Sequence, residues 1–414
     1  MQTRPPLRLL LAALALAFIA CTGCRRPADP VAAKPPPLPA IPPPETGNSR
    51  EPNPLEWQPD HDYFPDKSEL TYAQAFKISY HGHYKLVTIN RPWRDSTKEF
   101  QYLLVQRGTP QPDGFPGVPV IEVPVRTLVT LANPFLPHVD MLDVEDALVG
   151  HSMLPWVTTP AIRARIEAGA VTELGTTEKL NAETLIRMHP DLIMANAIGE
   201  GGSDVHNRLQ TLGLPVVVNA DYMETTPLGR AEWLKFMAAF FNAEAVANGQ
   251  FTQIAADYEA LKARAAGETE KPSVLVGAPF RGTWYVPGGQ SNVANLVADV
   301  GGAYVWADDP SSGSQILEVE AVILRARKAD YWINTGIWTT RAEALAEDSR
   351  YQYQEAMRKG HVYNHVKTQQ PNGANDYWEG AMARPDLLLH DLVKILHPHL
   401  LPDHTLIWYK NLDD

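Results

Sequence analysis

The stretch Asn242–Gly267, NAEAVANGQFTQIAADYEALKARAAG, decides how the rest of the chain is read. Ala247, Phe251, Ile254, Tyr258, Leu261 and Ala265 recur at steps of three and four, which lays one apolar stripe along a helix. Asn242 is placed to cap its start, Lys262 and Arg264 suit the negative end of its dipole, and Gly267 followed by Lys271-Pro272 stops it. At ~1.5 Å per residue such a helix reaches roughly 35 Å, the width of a small domain. It is long enough to join two lobes or to lie along the surface of one large domain. The segments on either side distinguish these.

Both sides carry the same pattern. Upstream, helices expected over 140–148, 181–188 and 204–212 alternate with short apolar strands at 127–131, 191–195 and 215–218. Downstream, strands at 273–276, 283–286 and 331–333 alternate with helices at 292–300, 319–326 and 384–396. Buried strands of three to five residues separated by helices imply parallel sheets covered on both faces. The fold class is therefore α/β, with two Rossmann-like lobes over 127–241 and 268–401 joined by one rigid helix over 242–267. An extra N-terminal β region over 55–126 precedes them, where Phe76 to Tyr80, Tyr84 to Ile89 and Phe100 to Val105 show two-residue alternation.

The leader is of another kind. Residues 1–24 hold Arg4 and Arg8 and then an apolar run to Ala20, shorter than the ~20 residues a membrane helix needs, so they read as an export signal. Ala17-Phe18-Ile19-Ala20-Cys21 resembles the box at which bacterial lipoproteins are cut and acylated, with Cys24 as the alternative acceptor. An ordinary secretory signal with incidental cysteines is the other reading. Residues 25–54 are crowded with proline and favour an extended tether. Cys21 and Cys24 are the whole cysteine complement, so the body holds neither a disulfide nor a thiolate metal site. A net charge of -12 without a basic stripe argues against a nucleic-acid partner.

One correspondence between the halves is sharper than the rest. Glu183 opens a helix that runs into Asp191-Leu192-Ile193-Met194, and Glu320 opens one that runs into Asp330-Tyr331-Trp332-Ile333. A glutamate in a first helical turn is ordinarily there for the dipole, at ~0.3 to 1 kcal/mol. Residues 181–193, NAETLIRMHPDLI, are similar to a segment of the substrate-binding proteins of bacterial ABC importers for ferric siderophores, haem and cobalamin. The resemblance covers about Phe76 to Leu401 and implies a periplasmic, lipid-anchored receptor that hands a metal chelate to a permease driven by an ATPase. It also implies that Glu183 and Glu320 dock on permease arginines. Arg327-Lys328 stand where the second lobe should repeat the proline, and the tether and the N-terminal β region lie outside what the resemblance explains.

A ligand of such a protein sits between the lobes, at the loops after the strands. Phe135, His151, Arg281, Trp284, Tyr285, Trp306, Trp338, Asn375, Tyr377 and Trp378 are the expected contacts. Aromatics with one arginine and several amides suit a large flat or anionic chelate. No cofactor, resident metal or catalytic residue is expected. His81-Gly82-His83 and His397-Pro398-His399 lack a carboxylate at ligand spacing, and the 277–282 stretch lacks the lysine of a phosphate loop. The rivals are a receptor for bare zinc or manganese, and an enzyme using His151 or Asp376 as acid or base.

Overall fold

The long helix begins two residues later than its sequence pattern implies. In the computed structural model, which describes residues 57–176, 179–199 and 204–414, it runs Glu244–Ala266. Ala243 holds the cap position, and Asn242 does not cap: its backbone is left-handed at φ 55° and its side chain accepts from Lys85 Nζ at 2.9 Å. The leader 1–24 with Cys21 and Cys24, and the proline-rich 25–54 segment, lie outside the described residues.

Taking the chain in order, a four-stranded sheet comes first: β1 (Phe76–His81), β2 (Tyr84–Ile89), β3 (Phe100–Gln106) and β4 (Val120–Val123). The first half of the α/β body follows as β5 (Leu128–Thr130), α1 (Leu136–Met141), β6 (Leu148–His151), α2 (Pro160–Glu167), β7 (Thr172–Glu173), α3 (Ala182–Met188), β8 (Leu192–Ala195), α4 (Val205–Thr211) and β9 (Val216–Val218). Its strands are parallel throughout, in the order β7-β6-β5-β8-β9. The helix expected over 140–148 lies earlier, because Pro137 at the first turn starts it and Asp143, left-handed at φ 56°, follows its end.

Helices α5 (Pro227–Ala231) and α6 (Trp233–Ala239) lead into the long helix, α7. Beyond it come β10 (Ser273–Val276), β11 (Pro279–Phe280), β12 (Thr283–Pro287), α8 (Asn292–Asp299), β13 (Ala303–Tyr304), β14 (Ser314–Glu318), α9 (Val319–Arg325) and β15 (Tyr331–Ile333). The chain closes with α10 (Arg341–Glu347), α11 (Glu355–Lys359), β16 (Val362–Asn364), α12 (Gly380–Ala383), α13 (Pro385–Leu396) and β17 (Lys410–Asn411). The second large sheet has the order β13-β10-β15-β16-β17, parallel except at β17, and β11, β12 and β14 form a separate antiparallel sheet.

The α7 stripe is shared between two cores, which is what makes the helix a connector. Ala247 packs with the first half of the chain, among Trp233, Phe236 and Val139. Ile254, Tyr258, Leu261 and Ala265 pack with the second, among Val274, Leu392 and Leu396. Ile254, Tyr258 and Leu261 each contribute about 1.5 to 3 kcal/mol at the second end, and the buried Glu244–Lys85 pair beside Ala247 holds the first. The two halves repeat one hydrogen-bond pattern. The Asp191 carboxylate accepts from Arg126 N at 2.8 Å, and Thr127 Oγ1 accepts from Asp191 N at 2.9 Å. Asp330 accepts from Ser273 N at 3.0 Å, and Ser273 Oγ accepts from Asp330 N at 3.0 Å. In each half, an aspartate just before one strand, β8 or β15, holds the start of the neighbouring strand, β5 or β10.

The N-terminal sheet shares the first core through Phe76, Val87, Ile89, Tyr102 and Leu104. Fully buried Lys85 on β2 donates to Ala239 O at 2.7 Å and pairs with the Glu244 carboxylate at the start of α7. Burial pushes its pKa down to about 8. Glu232 accepts from the backbone N–H groups of Thr71, Tyr72 and Ala73, and Glu224 from those of Gln74 and Ala75. These carboxylates splice the segment before β1 onto the turns that precede α5 and join α5 to α6.

Candidate functional site

Strand ends and loops build the site. In a parallel sheet the loops after the strands share one edge, and here the loops after β5, β6 and β8 meet those after β16. Between them is a cleft of about 740 Å³ lined by Leu131, Asn133, Met153, Trp156, Asn196, Ile198, Asp204, Asn375, Trp378 and Glu379, among others. Trp156 and Trp378 are about half exposed, at 49% and 54%, so their faces are available to a guest. Asn196 Oδ1 is buried with no hydrogen-bond partner among the described residues. Asp204 is fully engaged with its own wall, accepting from Ile198 N at 3.0 Å and Gly199 N at 2.8 Å.

One carboxylate fastens the halves to each other at this cleft. Glu379 follows the short turn Asp376–Trp378 and is 1% exposed. It accepts from Asn133 Nδ2 at 2.8 Å, Thr158 N at 2.9 Å, Thr159 N at 2.8 Å and Thr159 Oγ1 at 2.7 Å, all from the first half. Beside it Asn372 Nδ2 donates to Pro155 O at 2.6 Å. Sequence pattern gave no warning of Glu379. Trp156 did carry a signal, as a tryptophan beside a proline just beyond β6.

Of the ten contacts expected from sequence, Asn375 and Trp378 line this cleft. His151 sits just behind it, fully buried, with Nδ1 2.7 Å from Thr130 Oγ1 and Nε2 3.4 Å from Asn133 Oδ1. Phe135 is 1% exposed and belongs to the first core, where its turn packs onto α1. Trp284 and Trp338, at 0% and 3% exposure, do not reach a cleft: they pack with Trp332 and Tyr351 inside the second core. Tyr377 is buried too, stacked on His365 at 4.0 Å. Trp306 is buried against Tyr304 with the Arg325 guanidinium over its ring. Arg281 occupies the exposed β11–β12 turn, 5.0 Å from the Phe280 ring, and Tyr285 points outward from the small sheet. Neither lines the cleft between the halves.

The lining has a distinctive charge. Among its described residues there is no lysine, arginine or histidine, while Asp204 and Glu379 are acidic. The anionic guest anticipated from Arg281 therefore loses its counter-charge.

Burial pushes His151 down to about 4 and keeps it neutral. Its folded pKa lies below the unfolded value of 6.5, so the unfolded chain takes up the proton first. The stability this residue contributes is complete above pH 6.5 and is lost as pH falls toward 4, by at most about 3 kcal/mol. Denaturant midpoints at pH 7 and pH 4.5 are expected to differ less in His151→Gln than in the wild type, and an equal difference in both would contradict this. Asp376, the other candidate acid or base, accepts from Trp408 Nε1 at 2.8 Å and Thr158 Oγ1 at 3.2 Å, a bracing role.

Glu183 and Glu320 stand in the first turns of α3 and α9, with side chains 83% and 68% exposed. Both helices run into the start of a parallel strand, so both N-termini lie toward the loop edge of their sheets. Glu320 pairs with Arg350 at 2.9 Å, which holds its carboxyl below the usual range, and Glu183 lies 3.7 Å from Arg187.

Known proteins resemble this chain in sequence or in fold. An uncharacterized lipoprotein of Methanocaldococcus jannaschii is 25% identical over 289 residues, 67% of each chain. A periplasmic solute-binding protein of Staphylococcus epidermidis superposes with a TM-score of 0.52 at 16% identity, covering 66% of this chain and 99% of its own. An Fe3+-hydroxamate transport protein of Saccharomonospora viridis gives 0.50 at 17% identity, covering 66% of this chain and 94% of its own. Residues 129–366 match the family described as periplasmic binding protein, from β5 to just past β16, and this chain belongs to that family.

Proposed function

We propose that the protein is the receptor of an ABC importer: it captures a metal chelate between its halves and delivers it to the permease, with Glu183 and Glu320 as the docking pair. One observation carries the choice of guest. The cleft offers two exposed tryptophan faces, the unpartnered amide oxygen of Asn196, and no basic side chain among its described residues. Such a lining favours an uncharged or cationic chelate over an anionic one. Three hydroxamates neutralise Fe3+, whereas three catecholates leave a charge of about -3 and haem brings two propionates, each of which would need a partner. An iron hydroxamate siderophore fits best. The relative named a lipoprotein supports membrane anchoring, here through Cys21 or alternatively Cys24, on the outer side of a membrane.

Tryptophan fluorescence titration with ferrioxamine B, ferrichrome, cyanocobalamin, ferric enterobactin and haemin tests this reading. Quenching by the first two at micromolar or lower concentration is expected. Trp378→Ala should weaken it about tenfold to a hundredfold, the effect of removing an aromatic anchor. Preference for enterobactin or haemin would contradict the proposed charge selection, and indifference to Trp378→Ala would remove the cleft as its location.

A further inference from the structure

The loop 90–99 between β2 and β3 touches both halves of the α/β body. Tyr222 Oη lies 3.2 Å from Pro92 O and 2.5 Å from Ala197 O, tying the loop to the cleft wall after β8. Trp93 lies flat against Gly199, where a Cβ would stand 2.6 Å from the indole, and its ring also neighbours Phe100 and His206. Gly199 has φ +83°, so both backbone and space reserve that position for glycine. The next residue, Arg94, crosses over. Its guanidinium occupies the place a side chain on Gly313 would take, and Gly313, which precedes β14, accepts from Gly288 N at 2.8 Å.

Strand order locates this contact. Glu379 and Asn372, in loops after β16, meet the loops after β5 and β6. Trp93 and Arg94 join the loop after β8 to the β14 side, toward the other end of the cleft. We propose that the Trp93–Arg94 turn is a latch across that end, so that the N-terminal sheet governs how far the halves part and how a guest enters. Arg94 is exposed and has no ion-pair partner among the described residues, so its hold on Gly313 is packing against backbone and opens readily. The Glu379 contact is buried and fully hydrogen bonded, and it acts as the fixed end.

The latch rests on the cleft being the guest site, but its test needs no guest. In the full chain with Cys21→Ser and Cys24→Ser, spin labels at Glu167→Cys and Arg358→Cys report the separation of the halves. Arg94→Ala should lengthen or broaden the distance distribution by about 3 Å or more, within the range of small rigid-body shifts. Gly313→Val, which evicts the guanidinium while keeping Arg94, should do the same, with melting temperatures otherwise kept. Distributions unchanged in both variants would overturn the latch and leave the guest reading standing.

Discussion

Glu379→Ala is expected to lower stability by about 3 to 5 kcal/mol, because it strands four donors of which two are backbone N–H groups at the joint between the halves. In a chain of this size that should bring the melting temperature down by about 5 to 10 °C. Glu379→Gln keeps one acceptor oxygen and the volume, so it should fall between the two. Chelate binding should weaken in both, since Asn133 and the Trp156 loop lose the group that holds them against the Trp378 turn. Differential scanning calorimetry with parallel fluorescence titration measures both effects. A melting temperature within about 1 °C of wild type would show that the inter-lobe contact is not bound through this carboxylate.

The second large effect is on transport. Glu183→Ala with Glu320→Ala should cut uptake by more than about tenfold while chelate affinity stays within about twofold, because both carboxylates lie outside the cleft lining. The helix between them limits the change in their spacing: α7 packs into the first core at Ala247 and into the second at Ile254 and Tyr258. Radiolabelled iron uptake in cells carrying the double variant, beside equilibrium binding of purified protein, separates the two quantities. Undiminished uptake would exclude these glutamates as docking groups. Lost affinity would move them into the binding site.

Much of the architecture was legible because it rests on periodicity. The α7 stripe, the 181–193 segment and the apolar strands of both halves each announce themselves by spacing, and the family match covers them. The site was legible only in its loops. Trp284 and Tyr285 are neighbours on one strand, and a strand sends neighbours to opposite faces, so one is in the core and the other outside. Nothing in residue type tells which. Trp338 looked like a loop aromatic but turns inward, its Nε1 donating to Glu347 at 2.8 Å. Buried carboxylates such as Glu379, Glu232 and Glu224 escape sequence reading altogether, because they accept from backbone N–H groups 149 to 221 residues away.

A crystal structure grown with ferrioxamine B tests the central claim most directly. The account predicts one chelate between the indoles of Trp156 and Trp378, with an N–H donor on Asn196 Oδ1 and with α7 unbent. Chelate bound instead at the outward face of the small sheet, beside Phe280, Arg281 and Tyr285, with the cleft empty, would contradict it.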